Sequence, residues 1–217
     1  MGEAKRRQDR SAATEARRAQ LTQAVEQVGL ALRRLATAAS SHLGSDCYLH
    51  AELGRHLMAD LGFACEIAVG FAAWRVGRGD GDVIAHTPNT AGYLPPGVKG
   101  FPYHAWLVVD ECIVDLTTYQ IARKARELDA ADGGHTTVDW CPDSLILPLR
   151  QVRSYSYVAK APDAGHAYYE SRPTLPAQMA ATFTLDLEDL ATARVLLANP
   201  EMQVIGPNQI GGEAGGA

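Results

Sequence analysis

Apolar positions change their period several times along the chain, and each change marks an element. Leu21, Val25, Val28, Leu32 and Leu35 recur at helical spacing, which predicts an amphipathic helix ending near Ser40–Ser41 and Gly44. The stretch before it, with Lys5, Arg6, Arg7 and Arg10, has no apolar stripe, so residues 1–20 read as a flexible basic segment, a solvated or frayed helix. A second helix is predicted over 46–61. Ser45 or Asp46 suits its N-cap, Leu49, Leu53, Leu57 and Leu61 form its apolar face with Ala51 and Met58, and Gly62 stops it.

The period then shortens to two. Phe63, Cys65, Ile67, Val69 and Phe71 alternate within a strand read over 63–77, Trp74 and Val76 break the parity, and Asp80-Gly81 turns the chain into a returning strand over 82–86. Residues 87–102 hold Pro88, Gly92, Pro95, Pro96, Gly97, Gly100 and Pro102 and read as a long loop, of the kind that closes over or contacts a substrate. A hairpin follows, from His104 to Val109 and from Cys112 to Leu116, turning at Asp110-Glu111. Residues 119–130 have helical composition, 132–137 form a polar loop, and 145–149 and 155–159 read as strands. A last helix is predicted over 186–198, begun by Thr184 or Asp186 and ended by Asn199-Pro200. Helices followed by mostly antiparallel strands indicate an α+β chain. The expected organisation is one domain over 21–205 and a disordered tail over 206–217.

Composition narrows the functions on offer. The 217 residues suffice for one domain with a substantial core, and 47% hydrophobic with 21% charged residues is ordinary for a globular protein. A net charge of -5 argues against a nucleic-acid partner. No run approaches the roughly 20 apolar residues that span a bilayer, and no apolar core follows the basic N-terminus, so no membrane association and a cytoplasmic location are expected. There Cys47, Cys65, Cys112 and Cys141 read as free thiols rather than a disulfide framework, and their wide spacing, with no C-x-x-C pair, does not suit a structural zinc site. No cofactor is implied.

The candidate chemistry is a triad. Cys47 opens a helix, where unpaired N–H groups and the helix dipole favour the thiolate, the nucleophilic form. His104 opens a strand and can serve as its proton partner. With the turn at Asp110-Glu111, Asp115 returns to the same open end of the hairpin as His104, within reach of the imidazole. Cys47, His104 and Asp115 are therefore the candidate catalytic residues. Asp46, Tyr103 and Trp106, their neighbours in sequence, are the candidate substrate-contacting residues. His50 and Glu52 read as a solvent-facing flank, His86 as a surface residue at a strand end with a cleft-facing position as the alternative, and Cys65, Cys112 and Cys141 as structural.

Three segments together resemble the transglutaminase-like proteins of the papain-like superfamily. Asp46-Cys47 with the helix through Ala51, Leu53 and Leu57, and then Leu61-Gly62-Phe63 and Ile67-Ala68-Val69-Gly70, is similar to their nucleophile helix and following strand. His104-Ala105-Trp106-Leu107-Val108-Val109 resembles their His-Ala-Trp strand, and Asp115-Leu116-Thr117 the Asp-x-Thr that closes their triad. The chain departs from the pattern in having Asp46 where an aromatic residue often precedes the nucleophile, and in its short hairpin. Cys47, Leu61-Gly62-Phe63, His104 and Val114-Asp115 are also similar to arylamine N-acetyltransferases, without their Arg-Gly-Gly-Phe-Cys segment. The resemblance implies a papain-like fold and a cysteine hydrolase or acyltransferase that works through a thioester on a peptide or small acyl substrate. A non-catalytic binding module with a vestigial triad is the alternative.

Overall fold

The ten-residue strand β1 (Glu66–Arg75) is the hub of the sheet. In a computed structural model, which describes residues 2–39, 46–88 and 102–210, β1 pairs antiparallel with β2 (Val83–His86), β3 (His104–Val109) and β6 (His166–Ser171). Gly70 is partnered by both His104 and Ser171, and Ala72 by both His86 and Tyr169. One edge of β1 therefore carries β6, while β2 and β3 share the other edge end to end. Beyond β3 the sheet continues antiparallel through β4 (Cys112–Asp115) to β5 (Leu145–Pro148).

Both faces of this sheet are covered, which explains why β3 and β4 read as nearly unbroken apolar runs. On one face Val69, Ala105, Leu107, Val109 and Val114 pack with four helices: α1 (Gly2–Ala38), α2 (Cys47–Asp60), α5 (Leu175–Thr182) and α6 (Leu187–Ala198). On the other, Ala68, Trp74, Trp106, Ile113 and Tyr169 pack with α3 (Ile121–Asp132). Leu53, Leu57 and Met58 of α2 are fully buried. A Cβ on Gly54 would stand 2.4 Å from Leu116 Cδ1, so the absent side chain lets α2 lie close against the sheet. That approach carries the N-terminus of α2 to the end of β3.

The α+β mixture with an antiparallel sheet agrees with the sequence expectation, and several boundaries differ. The helix α1 is continuous over 37 residues and takes in the basic segment read as a solvated or frayed helix. Its residues 12–20 are exposed, and burial begins at Leu21. Phe63 and Cys65 precede β1 rather than belonging to it. Residues 155–159, expected as a strand, form the helix α4 (Tyr155–Lys160), because Ser154 Oγ accepts the Tyr157 N–H as an N-cap and the alternating tyrosines stay largely outside the core. The strand β6 and the helix α5 are elements the sequence pattern did not reveal. The tail expected to be disordered from 206 carries a short helix, α7 (Pro207–Ile210), where Asn208 Nδ2 donates to Thr37 O at 3.3 Å. The loop expected over 87–102 lies, from 89 to 101, outside the described residues, as do Ser41, Gly44 and Ser45 and the tail from 211.

The shared pairing at Gly70 is sterically exacting. A Cβ there would meet Glu170 O of β6 at 2.0 Å, a backbone atom that cannot turn aside. Gly70→Ala is expected to cost about 1–3 kcal/mol by overpacking, read as a lower urea midpoint with an unchanged slope.

Candidate active site

Cys47 is the first residue of α2, half-buried, with Asp46 as the N-cap. Asp46 Oδ1 accepts the Tyr48 N–H at 2.9 Å and the Tyr103 hydroxyl at 3.1 Å, so the cap also fastens the chain entering β3. Cys47 Sγ lies 3.9 Å from Tyr103 O, the carbonyl that immediately precedes His104. The first-turn N–H groups of Tyr48 and His50 are taken by Asp46, whereas that of Cys47 has no partner among the described residues.

His104 Nε2 and Asp115 Oδ2 are 2.7 Å apart, with residue exposures of 3% and 0%. The register explains the meeting. Leu107 pairs with Val114, so Asp115 falls opposite Trp106, on the same face of the hairpin as His104 and diagonal to it. Asp115 is held from every side: Oδ1 accepts the Thr117 N–H at 2.9 Å and the Thr117 hydroxyl at 2.8 Å, and Oδ2 accepts the Tyr169 hydroxyl at 2.8 Å. Tyr169 in turn accepts the Trp74 indole N–H at 2.9 Å.

With Nε2 engaged by Asp115, Nδ1 is the ring nitrogen left for Cys47. Burial disfavours charge on His104, but the Asp115 carboxylate, by charge and hydrogen bond, and then the Cys47 sulfur, bring its pKa from 6.5 up to about 10. Burial likewise works against the Asp115 carboxylate, yet His104 and the Thr117 and Tyr169 donors hold its pKa below 3.8. The contact thus favours the charged form of both partners, beside a cysteine at a helix N-terminus. Such an arrangement can stabilise a thiolate and shuttle its proton.

The structure brings Cys47, His104 and Asp115 together and sets Asp46 and Tyr103 beside them. Burial, followed by the neighbouring Cys47 sulfur and Asp46 carboxylate, raises the Tyr103 phenol pKa. Trp106 is 3% exposed and stacks behind His104 at 6.1 Å between centroids, as a wall of the imidazole pocket. Two readings are corrected. His50 is fully buried instead of facing solvent, with Nδ1 3.1 Å from Asp46 O and Nε2 3.0 Å from the Tyr119 hydroxyl, and burial lowers its pKa. His86 is not a plain surface residue: it stacks on His104 at 5.6 Å, and burial, followed by the His104 charge, holds its pKa near about 3. Thr117, within the Asp-x-Thr resemblance, was visible in the sequence, whereas Tyr169 and Trp74 were not, since both reach the site only through sheet pairing. All four cysteines are free. Among the described residues no group of three or more His, Cys, Asp or Glu could hold a metal ion, and no helix is long and apolar enough to cross a membrane.

Comparison with known proteins adds a fold and no function. No family model matches the chain, and no curated protein matches it. A solved crystal structure of a genomics target aligns over 84% of this chain and 82% of its own, with a TM-score of 0.56 and 16% sequence identity. The likeness is one of fold alone.

Two expectations follow from this geometry. Because the His104 pKa is raised on folding, its stabilising contribution is complete below about pH 6.5 and declines as pH climbs toward about 10. The Asp115 pKa is depressed, so its contribution is present above 3.8 and is lost in acid. The urea-midpoint advantage of wild type over His104→Gln should therefore peak between about pH 4 and 6.5 and shrink steadily above it. Tyr169→Phe removes one donor from a buried carboxylate and strands the Trp74 N–H, for an expected loss of about 1–3 kcal/mol in urea unfolding.

Proposed function

We propose that the chain is a papain-like cysteine enzyme of transglutaminase-like type, a hydrolase or acyltransferase acting on a peptide or other small acyl substrate. The observation that carries the reading is the buried His104–Asp115 pair at 2.7 Å, whose free imidazole nitrogen serves a half-buried cysteine at a helix N-terminus. A helix bearing the thiol, packed on an antiparallel sheet that bears the imidazole and the carboxylate, supports the fold assignment.

In this mechanism the Cys47 thiolate attacks the substrate carbonyl carbon, and the resulting oxyanion accepts the Cys47 N–H. Collapse breaks the C–N or C–O bond, and the departing amine or alcohol takes the proton from His104 Nδ1. An acyl thioester remains on Cys47. Water, or an acceptor amine, then gives a proton to His104 as it attacks the thioester, releasing acid or amide and restoring the thiolate–imidazolium pair. Asp115 stays ionised throughout, orienting the ring and balancing its charge. Trp74, Trp106 and Tyr169 enclose the imidazole in apolar surroundings, where these charges act strongly.

The exposed Cys141 supplies an internal reference for the test. Iodoacetamide labelling followed by peptide mapping should modify Cys47 at pH 6 at least about tenfold faster than Cys141. His104→Ala should abolish that preference, and intact mass after incubation with activated acyl esters should show an adduct lost in Cys47→Ser. A Cys47 that labels no faster than Cys141 and forms no acyl adduct would leave a binding module with a vestigial triad as the correct reading.

A further inference from the structure

At the opposite end of the β3–β4 hairpin, a cavity of about 660 Å³ opens between residues 13–21 of α1 and the closed turn of the hairpin. Its size lies within the roughly 300–1,000 Å³ of small-ligand sites. Leu21, Cys112, Pro148 and Leu149 give it an apolar lining, and Leu149 is 47% exposed although large and hydrophobic. Arg17, Arg18 and Arg150 stand around it against Asp110 and Glu111, so the rim is net positive.

These arginines are not equivalent. Arg17 is committed, with Nε 2.7 Å from Asp110 Oδ2 and its guanidinium 3.9 Å above the Phe63 ring. Arg18 and Arg150 are exposed, and their side chains have no hydrogen-bond or ion-pair partner among the described residues. Both act on the same point of the lining. Burial raises the Cys112 thiol pKa, the Arg18 and Arg150 charges oppose that rise, and the Asp110 and Glu111 charges add to it. Two uncommitted guanidinium groups from separate elements, α1 and the turn after β5, thus line one cavity with an apolar floor. Guanidinium forks suit carboxylate and phosphate oxygens, and the floor suits a hydrocarbon chain.

We propose that this cavity binds an anionic amphiphile, a carboxylate or phosphate head on an apolar chain, with Arg18 and Arg150 on the head and Leu21, Pro148 and Leu149 along the chain. The cavity is separated from His104 by the length of β3, six residues spanning five steps, or about 17 Å at the extended rise. Its occupancy does not rest on the chemistry assigned to Cys47.

The test is displacement of anilinonaphthalene sulfonate from the full chain by decanoate, decyl phosphate and decanol. Saturable displacement by decanoate or decyl phosphate is expected, with decanol at least about tenfold weaker because it lacks the charge. The stronger of the two anions identifies the head group. The double variant Arg18→Ala/Arg150→Ala should weaken the anions by about tenfold or more while leaving decanol unchanged. Its circular dichroism should match wild type, since both side chains are exposed. A second variant, Leu149→Glu, should weaken the anions without removing either arginine. Absence of saturable displacement, or equal affinity for decanol and decanoate, or anion binding unaffected by the double variant, overturns the proposal.

Discussion

A carboxylate with no solvent exposure must have its lone pairs answered by donors, or its burial costs several kcal/mol. Asp115 meets that requirement with four donors: His104 Nε2, the Tyr169 hydroxyl, and the Thr117 N–H and hydroxyl. They come from β3, from β6 and from the turn after β4, so one side chain ties together parts of the sheet that are distant in sequence. The Trp74 indole then fills the Tyr169 acceptor position, which leaves the Tyr169 proton for Asp115. The same network fixes the imidazole. With Nε2 held at 2.7 Å, the ring orientation is fixed and Nδ1 is left for another partner.

The surroundings of that ring sort two histidines by charge. His86 ends β2 and His104 begins β3, and because those strands share one edge of β1 their rings come within 5.6 Å. Two stacked imidazolium ions would repel, and of the two rings only His104 has a carboxylate in hydrogen-bonding contact among the described residues. His104 accordingly takes the proton and His86 remains neutral, its pKa held near about 3. The edge-on indole of Trp74 touches both rings, at 4.8 Å from His104 and 5.7 Å from His86. A neutral ring beside a charged one supplies packing without competing for the Asp115 charge.

Legibility in the sequence followed the range of the interactions. The apolar stripe of α1 from Leu21 and the α2 face through Leu53 and Leu57 are local patterns, and both lie in the core. The meeting of His104 and Asp115 could be anticipated because a tight hairpin turns separation along the chain into proximity. His50 could not be placed, since its burial depends on Tyr119, which is brought up from beyond the hairpin. Tyr169 was hidden for the same reason: β6 reaches β1 only after some ninety intervening residues, and nothing in its local alternation announces a donor to Asp115. Residues 155–159 misled because alternating Tyr155 and Tyr157 imitate a strand, whereas a single serine cap and one buried valine, Val158, suffice for a short helix.

The hairpin turn shows how a distant detail governs the site. Asp110 and Glu111 sit at φ 46° and 61°, a left-handed pair that usually calls for Asn-Gly, and neither is glycine. Such residues cost of order 1 kcal/mol or more each, and here they are braced: Arg17 pairs with Asp110, and Glu111 O accepts the Leu149 N–H at 2.9 Å. The exposed ion pair alone adds little. What the two-residue turn secures is register. It sets Val109 opposite Cys112 and thereby Trp106 opposite Asp115, on the face that bears His104. A slip of one residue would send Asp115 to the other face of the sheet, among the leucines of α1 and α2, and leave His104 without its carboxylate. Strain at the closed end of the hairpin is thus the local cost of placing the acid at its open end.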